Sequence, residues 1–264
     1  MALGWECRRA EIDAFTAPVR ECLVRELDPR PGDVLLELAA GTGETGFEAA
    51  ALVGDAGRLI STDLTPGMVT AARRRANALG LTNVDHRVMD AEAIDLEDAS
   101  IDGVLCRFGL MLMASPATAL AEIRRVLRPG KRLVLAVWRG ADENPWVAIA
   151  GGMLAERGLL PAAEPGEPGI FALADDERLR RLLRCADFET VVTADVAIRC
   201  RFTDVTEYVK FALDTGGRFQ AAWREAPEDD RAELVEDLRE AFAPFEVSSG
   251  GYELPGVALT AVAS

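Results

Sequence analysis

The sequence predicts an α/β fold, a mostly parallel sheet with helices on both faces. Three observations carry this. Strand-length apolar runs alternate with helical segments through residues 34–138. The first of these runs leads into a glycine-rich turn and then a helix. The composition also supports a sizeable core: 49% of the 264 residues are apolar. At roughly 100–200 residues per domain, this length suits one large domain or a domain with a small appendage.

The elements follow in order. Residues 8–27 read as an N-terminal helix. Val34-Leu35-Leu36-Glu37-Leu38 is the first strand, and residues 44–53 form the helix after its turn. Arg58 to Asp63 is a second strand. Thr65 then caps a helix with Pro66 at its first position, and Gly80 stops it. Val84–Met89 and Ile101–Cys106 are the third and fourth strands. Ser115-Pro116 opens a helix in the same way, carrying Arg124, Arg125 and Arg128 towards an end at Pro129. Lys131–Trp138 is nearly continuous in apolar residues, as in a strand buried on both faces. Repeated βα units of this kind make a parallel sheet with right-handed crossovers.

Beyond Trp138 the pattern loosens. Residues 139–174 are rich in Gly, Pro and Ala and hold one clear helix, about 145–157, with Asn144 as cap and Pro145 at its first position. Asp175 starts another helix through Leu183, and Glu189–Arg201 reads as a strand. Asp204-x-x-Glu207 has the form of a capping box. Pro227 precedes a helix whose first turn is Glu228-Asp229-Asp230, and Val257–Ala263 is a final strand.

Charge and cysteine usage narrow the partners. The formal net charge is −15, against the basic surface that nucleic-acid binding requires. Arg73-Arg74-Arg75 reads as the solvated face of a helix. Residues 202–264 hold 13 acids and 5 bases, a solvated helical surface of net −8. Five irregularly spaced cysteines and a single histidine argue for free thiols and no metal site. No secretory h-region and no apolar run of roughly 18 residues occurs, so the expected location is the cytoplasm.

The sharpest motif is Glu37-Leu-Ala-Ala-Gly41-Thr-Gly43-Glu-Thr-Gly46. Gly-x-Gly-x-x-Gly between strand and helix lets backbone approach a ligand and frees helix N–H groups. Asp63, 20 residues after Gly43, closes a strand where a carboxylate meets ribose hydroxyls. A nicotinamide or flavin dinucleotide fits these facts alone. Glu37 and Glu44 oppose it, because both would repel a pyrophosphate. Asp90, just after the third strand, suits an exocyclic amino group. S-adenosylmethionine has an ammonium, a sulfonium, a ribose, an adenine and no phosphate, and answers all three acids.

The ordered series Val34–Gly46, Thr62–Met68, Met89-Asp90-Ala91-Glu92, Ile101-Asp102-Gly103-Val104 to Met113, and Arg124-Arg-Val-Leu-Arg-Pro-Gly130 resembles the class I S-adenosylmethionine-dependent methyltransferases. More narrowly it resembles the ubiquinone/menaquinone-biosynthesis-type small-molecule group. The resemblance implies a Rossmann-like seven-stranded sheet within a single domain of residues 1–264. Residues 30–138 would bind the cofactor, and 139–187 and 202–250 would form helical segments over the site. By position, Glu37, Ala39, Gly41, Thr42 and Gly43 would line the methionine end. Asp63 would hold the ribose, Leu64 and Met68 the adenine faces, and Asp90 and Ala91 its edge. Arg107 and Phe108 would flank the methionine and face the substrate. An arginine at 107 departs from the smaller polar residue or histidine common there. It either selects an anionic substrate or pairs with Glu37 or another acid.

Methyl transfer from a sulfonium asks the protein mainly to align the nucleophile and exclude water. No catalytic residue is assigned. His86, with Val84 and Val88 on its strand face, reads as structural. Asn144-Pro145-Trp146 is similar to a motif of amino-methylating enzymes but lacks its second proline. Phe15, Met111, Trp138, Trp146, Phe171, Tyr208 and Phe211 suggest an apolar pocket for a hydrophobic or aromatic acceptor. The reading is methyl transfer to O, C or N of such a metabolite, in a chain that can form a homodimer. The alternatives are the same fold and cofactor with non-methylating chemistry (cyclase, decarboxylase or binding only), and an NAD(P)-dependent oxidoreductase.

Overall fold

The computed structural model describes residues 2–161 and 167–264. Its sheet has seven strands: β1 (Val34–Glu37), β2 (Arg58–Asp63), β3 (Val84–Val88), β4 (Ile101–Arg107), β5 (Leu127–Trp138), β6 (Val191–Phe202) and β7 (Tyr252–Ala263). Their order is β3-β2-β1-β4-β5-β7-β6. β1 to β5 pair in parallel, and β7 lies antiparallel to β5. The seven-stranded, mostly parallel α/β fold expected from the sequence is therefore present.

The chain falls into two compact bodies. One comprises Ala17–Arg139, Gly166–Val196 and Ala258–Ser264. It holds β1 to β5 with α3 (Glu44–Val53), α4 (Pro66–Ala78), α5 (Pro116–Val126) and α7 (Asp176–Cys185). Val104, Leu105, Cys106 and the run Leu133–Val137 are fully enclosed. Helices on both faces of a parallel sheet demand such unbroken apolar strands. At the strand starts, Asp102 accepts from the Val34 backbone, pairs with Arg128, and lies 3.2 Å from Lys131.

The other body comprises Met1–Thr16, Gly140–Pro165 and Ala197–Val257. Here lie α1 (Ala2–Cys7), α6 (Pro145–Glu156), α8 (Val205–Thr215), α9 (Gly217–Glu225) and α10 (Glu228–Phe242). The long helix α2 (Arg9–Leu27) begins in this body and ends in the first. A ring cluster of Phe202, Tyr208, Phe211, Phe242 and Tyr252 forms its core. Trp5 Nε1 donates to the Thr215 carbonyl and Arg8 pairs with Asp214, fixing α1 on α8.

Three local expectations need correcting. Arg128 and Pro129 do not end a helix. α5 stops at Val126, and both residues belong to β5. The register jumps from Ile101↔Leu127 to Gly103↔Arg132, a bulge that takes Pro129 and the positive-φ Gly130 out of the ladder. A proline without an N–H is tolerated in a strand at such a place. Asn144 stands at the N-cap of α6 as expected, but its side chain makes no cap bond. Its fully buried amide donates to the Gly140 and Val257 carbonyls and accepts from Trp146 Nε1 and Val257 N. Four bonds, two of them to Val257 113 residues away, outweigh one local cap bond. At 204–207, Asp204 caps α8 as expected, but Glu207 reaches Thr203 N rather than closing on Asp204.

Candidate active site

β1 and β4 are neighbours, and the sheet grows outward from them in opposite directions. Open α/β sheets bind ligands at such a switch point, beyond the carboxyl ends of the strands. Glu37 closes β1 there and Arg107 closes β4. The turn from β1 to α3 passes through three left-handed residues, Ala39 (φ 51°), Gly41 (58°) and Gly43 (93°). Left-handed backbone at an alanine is strained, and strain of this kind concentrates at functional sites. Among the described residues, nothing lies within 4 Å of a Cβ placed at Gly41, so the turn offers backbone to a ligand. Thr42 donates to Glu44 within the turn.

Glu37 is 2% exposed. Its Oε1 accepts from the Gly46 N–H, 2.8 Å away in the first turn of α3. Its Oε2 is buried without a hydrogen-bond partner among the described residues. A Cβ at Gly46 would stand 2.1 Å from that oxygen, so only glycine lets the helix sit over the carboxyl. Burial pushes Glu37 up to about 8, opposed by the Gly46 N–H and the charge of Arg107. An orphaned, desolvated carboxyl costs stability. A cationic ligand group would both satisfy Oε2 and ionise it.

Asp63 ends β2 with its carboxylate drawn to the turn. Oδ2 accepts from Gly41 N at 3.0 Å and Oδ1 from Thr65 N at 2.8 Å. Each oxygen keeps a further lone pair for a hydroxyl donor. Leu64 is 66% exposed beside it, and Met68 lies in the first turn of α4. Asp90 accepts from Glu92 N, while Ala91 is buried. The loop carrying both is tied to α5: Glu92 accepts from Ser115 N, Glu122 from Ile94 N, and Arg125 donates to the Ile94 and Leu96 carbonyls.

Phe108, also left-handed at φ 60°, stacks on Trp138 with centroids 3.9 Å apart, and the Arg107 guanidinium carbon lies 6.0 Å from its ring. Met111 is buried, and its carbonyl accepts from Gly169 two residues before Phe171. The structure thus joins Phe108 and Trp138. Phe15, Trp146 and Phe211 meet in the other body at 5.7 and 5.9 Å, while Tyr208 is held in the ring cluster. Sequence reasoning passed over Ser61. It stands between Glu37 and His86 in the strand register, and period two from Asp63 was the signal available.

A family model described as a methyltransferase domain matches residues 35–130. A demethylmenaquinone methyltransferase of Clavibacter sepedonicus is 32% identical over 181 residues, 65% of this chain and 72% of that protein. A ubiquinone/menaquinone biosynthesis C-methyltransferase of Hydrogenovibrio crunogenus is 40% identical over 107 residues. That match spans 40% of this chain and 42% of the relative, under half its length. Among solved structures, the YcgJ protein of Bacillus subtilis superposes with a TM-score of 0.62 at 16% identity, covering 92% of this chain and 96% of that one.

Proposed function

The chain belongs to the class I S-adenosylmethionine-dependent methyltransferases of the ubiquinone/menaquinone-biosynthesis type, and we propose that it methylates a hydrophobic, aromatic small molecule. The observation that carries the cofactor assignment is Glu37: a buried carboxyl with one orphaned oxygen under a turn of left-handed backbone. It fits an amino acid's ammonium and repels a pyrophosphate, which disfavours a nicotinamide dinucleotide.

When bound, the cofactor supplies a methyl group activated by a sulfonium. Glu37 Oε2 would hold the ammonium, and the open backbone at Gly41 would admit the methionine end. Asp63, fixed by Gly41 N and Thr65 N, would accept from the ribose hydroxyls. Leu64 and Met68 would cover the adenine, and Asp90 and Ala91 would meet its edge. Arg107 and Phe108 would flank the methionine end and face the acceptor. In-line displacement from a good leaving group needs alignment and dryness more than a base. The apolar ring surface of Phe108 and Trp138 serves both. A net charge of −15 supports a small-molecule acceptor over nucleic acid. Among the described residues, no helix is long and apolar enough to cross a membrane.

The relatives' names, a demethylmenaquinone methyltransferase and a C-methyltransferase, make a carbon of a quinone-type molecule the first acceptor to offer, in its electron-rich reduced form. The test is release of S-adenosylhomocysteine with a naphthoquinol acceptor. Turnover lost in Asp63→Ala supports the reading, while cofactor binding unchanged in that variant overturns the site.

A further inference from the structure

The strand register sets three polar side chains side by side. Glu37 of β1 is the partner of Ser61 in β2, and Ser61 is the partner of His86 in β3. Partners in parallel strands point to the same face, here the α3 face: Gly46 covers Glu37 and the Phe47 ring meets His86 edge-on at 6.0 Å. Among the described residues, Glu37 Oε2, Ser61 Oγ and His86 Nδ1 are all buried without a geometric hydrogen-bond partner. Both Glu37 and Ser61 are 2% exposed. Three orphaned atoms in one row are costly, because each loses its bonds to water without replacement. Neighbouring strands stand about 4.8 Å apart, so a turn of the Ser61 hydroxyl or one bridging water closes each gap.

We infer that Glu37, Ser61 and His86 form one proton-exchange row, whose direction reverses when Glu37 ionises and which carries the proton to the edge of the sheet. This rests on the cofactor reading for what ionises Glu37 in use. With Glu37 neutral, its Oε2 proton is donated to Ser61 Oγ, Ser61 donates to His86 Nδ1, and the ring keeps its proton on Nε2. On ionisation the Glu37 proton passes to Ser61, the Ser61 proton passes to Nδ1, and the Nε2 proton leaves to solvent. One proton departs, Ser61 is unchanged, and His86 has switched tautomer. Ser61 and His86 are thus positioning residues for the Glu37 charge.

The groups facing the row are few. Glu37 meets the Gly46 N–H and Glu44 from α3, the Ser61 hydroxyl from β2, and Arg107 and the buried Cys106 thiol from β4. His86 meets Arg73 of α4, which donates to its carbonyl, and Asp85 on its own strand. Burial and Arg73 hold the His86 ring below its ordinary pKa, so it is neutral where Glu37 titrates.

The sole histidine needs no assignment, so the test is nitrogen NMR of its ring in uniformly labelled, ligand-free protein from pH 6 to 9.5. The wild type is expected to move from the Nε2–H to the Nδ1–H tautomer as Glu37 ionises. Glu37→Gln and Ser61→Ala are expected to remain Nε2–H throughout, and Ser61→Thr to restore the switch. A wild-type ring that keeps one tautomer, or a switch that persists in Ser61→Ala, overturns the row. Saturating S-adenosylmethionine at pH 7 is expected to produce the same switch. The ligand-free titration stands without it, so failure of the row and failure of the cofactor reading give different results.

Discussion

Replacing Glu37 by Gln separates the use of this residue from its cost. Burial raises the carboxyl to about 8 from an ordinary 4.5. The folded state therefore keeps a proton that the unfolded chain loses from pH 4.5 upward. Stability falls as pH rises through that window and levels off above 8, and the whole difference is about 5 kcal/mol at about 1.4 kcal/mol per pH unit. A glutamine keeps the carbonyl for Gly46 N and has nothing to ionise. Glu37→Gln should match the wild type near pH 5 and melt several degrees higher at pH 9, read by circular dichroism. Binding should move the other way. Losing a charge-assisted hydrogen bond of about 1.5–3 kcal/mol weakens S-adenosylmethionine by about 10- to 150-fold. Between pH 6 and 7.5 the wild-type affinity should climb towards tenfold per pH unit, because binding needs the ionised carboxyl, while the variant stays flat. A variant that binds within twofold of wild type at pH 7.5 refutes the role given to Glu37.

Other predictions follow from the same geometry. Gly46→Ala places a methyl 2.1 Å from Glu37 Oε2 and 2.8 Å from a Leu59 methyl. Overpacking of this kind costs about 1–3 kcal/mol, and denaturant melts should show it together with weaker cofactor binding. Asp63→Ala removes the anchor of Gly41 N and Thr65 N as well as the ribose acceptor, and calorimetry should record at least tenfold weaker binding. Asp102 is held below the ordinary carboxylate range: burial raises it, but Val34 N, Arg128 and Lys131 more than offset that. Its stabilisation is complete above pH 4 and lost as pH falls through its lowered folded pKa. Asp102→Asn should therefore lower Tm at pH 7 and converge with the wild type in acid.

Much of this was legible in the chain because the signals were local. The run 34–38, the spacing from Gly43 to Asp63, and proline after Thr65 or Ser115 each specify their own element. What sequence missed depended on distant partners. Pro129 reads as a helix stop until β4 forces a bulge beside it. Asn144 reads as a cap until Val257, 113 residues away, claims its amide. Ser61 carries no motif, and its place between Glu37 and His86 exists only once three strands are in register. The aromatic residues were the least legible. Phe108 and Trp138 stack on one another, whereas Tyr208 and Phe211 belong to a ring core no periodicity distinguishes from a pocket wall.

The central claim is that the turn after β1 receives a sulfonium amino acid rather than a dinucleotide. Calorimetric titration with S-adenosylmethionine, S-adenosylhomocysteine and NADH tests it most directly. Micromolar binding of the first two, with none of NADH, is the predicted result. Binding of NADH alone would contradict it and return the glycine turn to a pyrophosphate site.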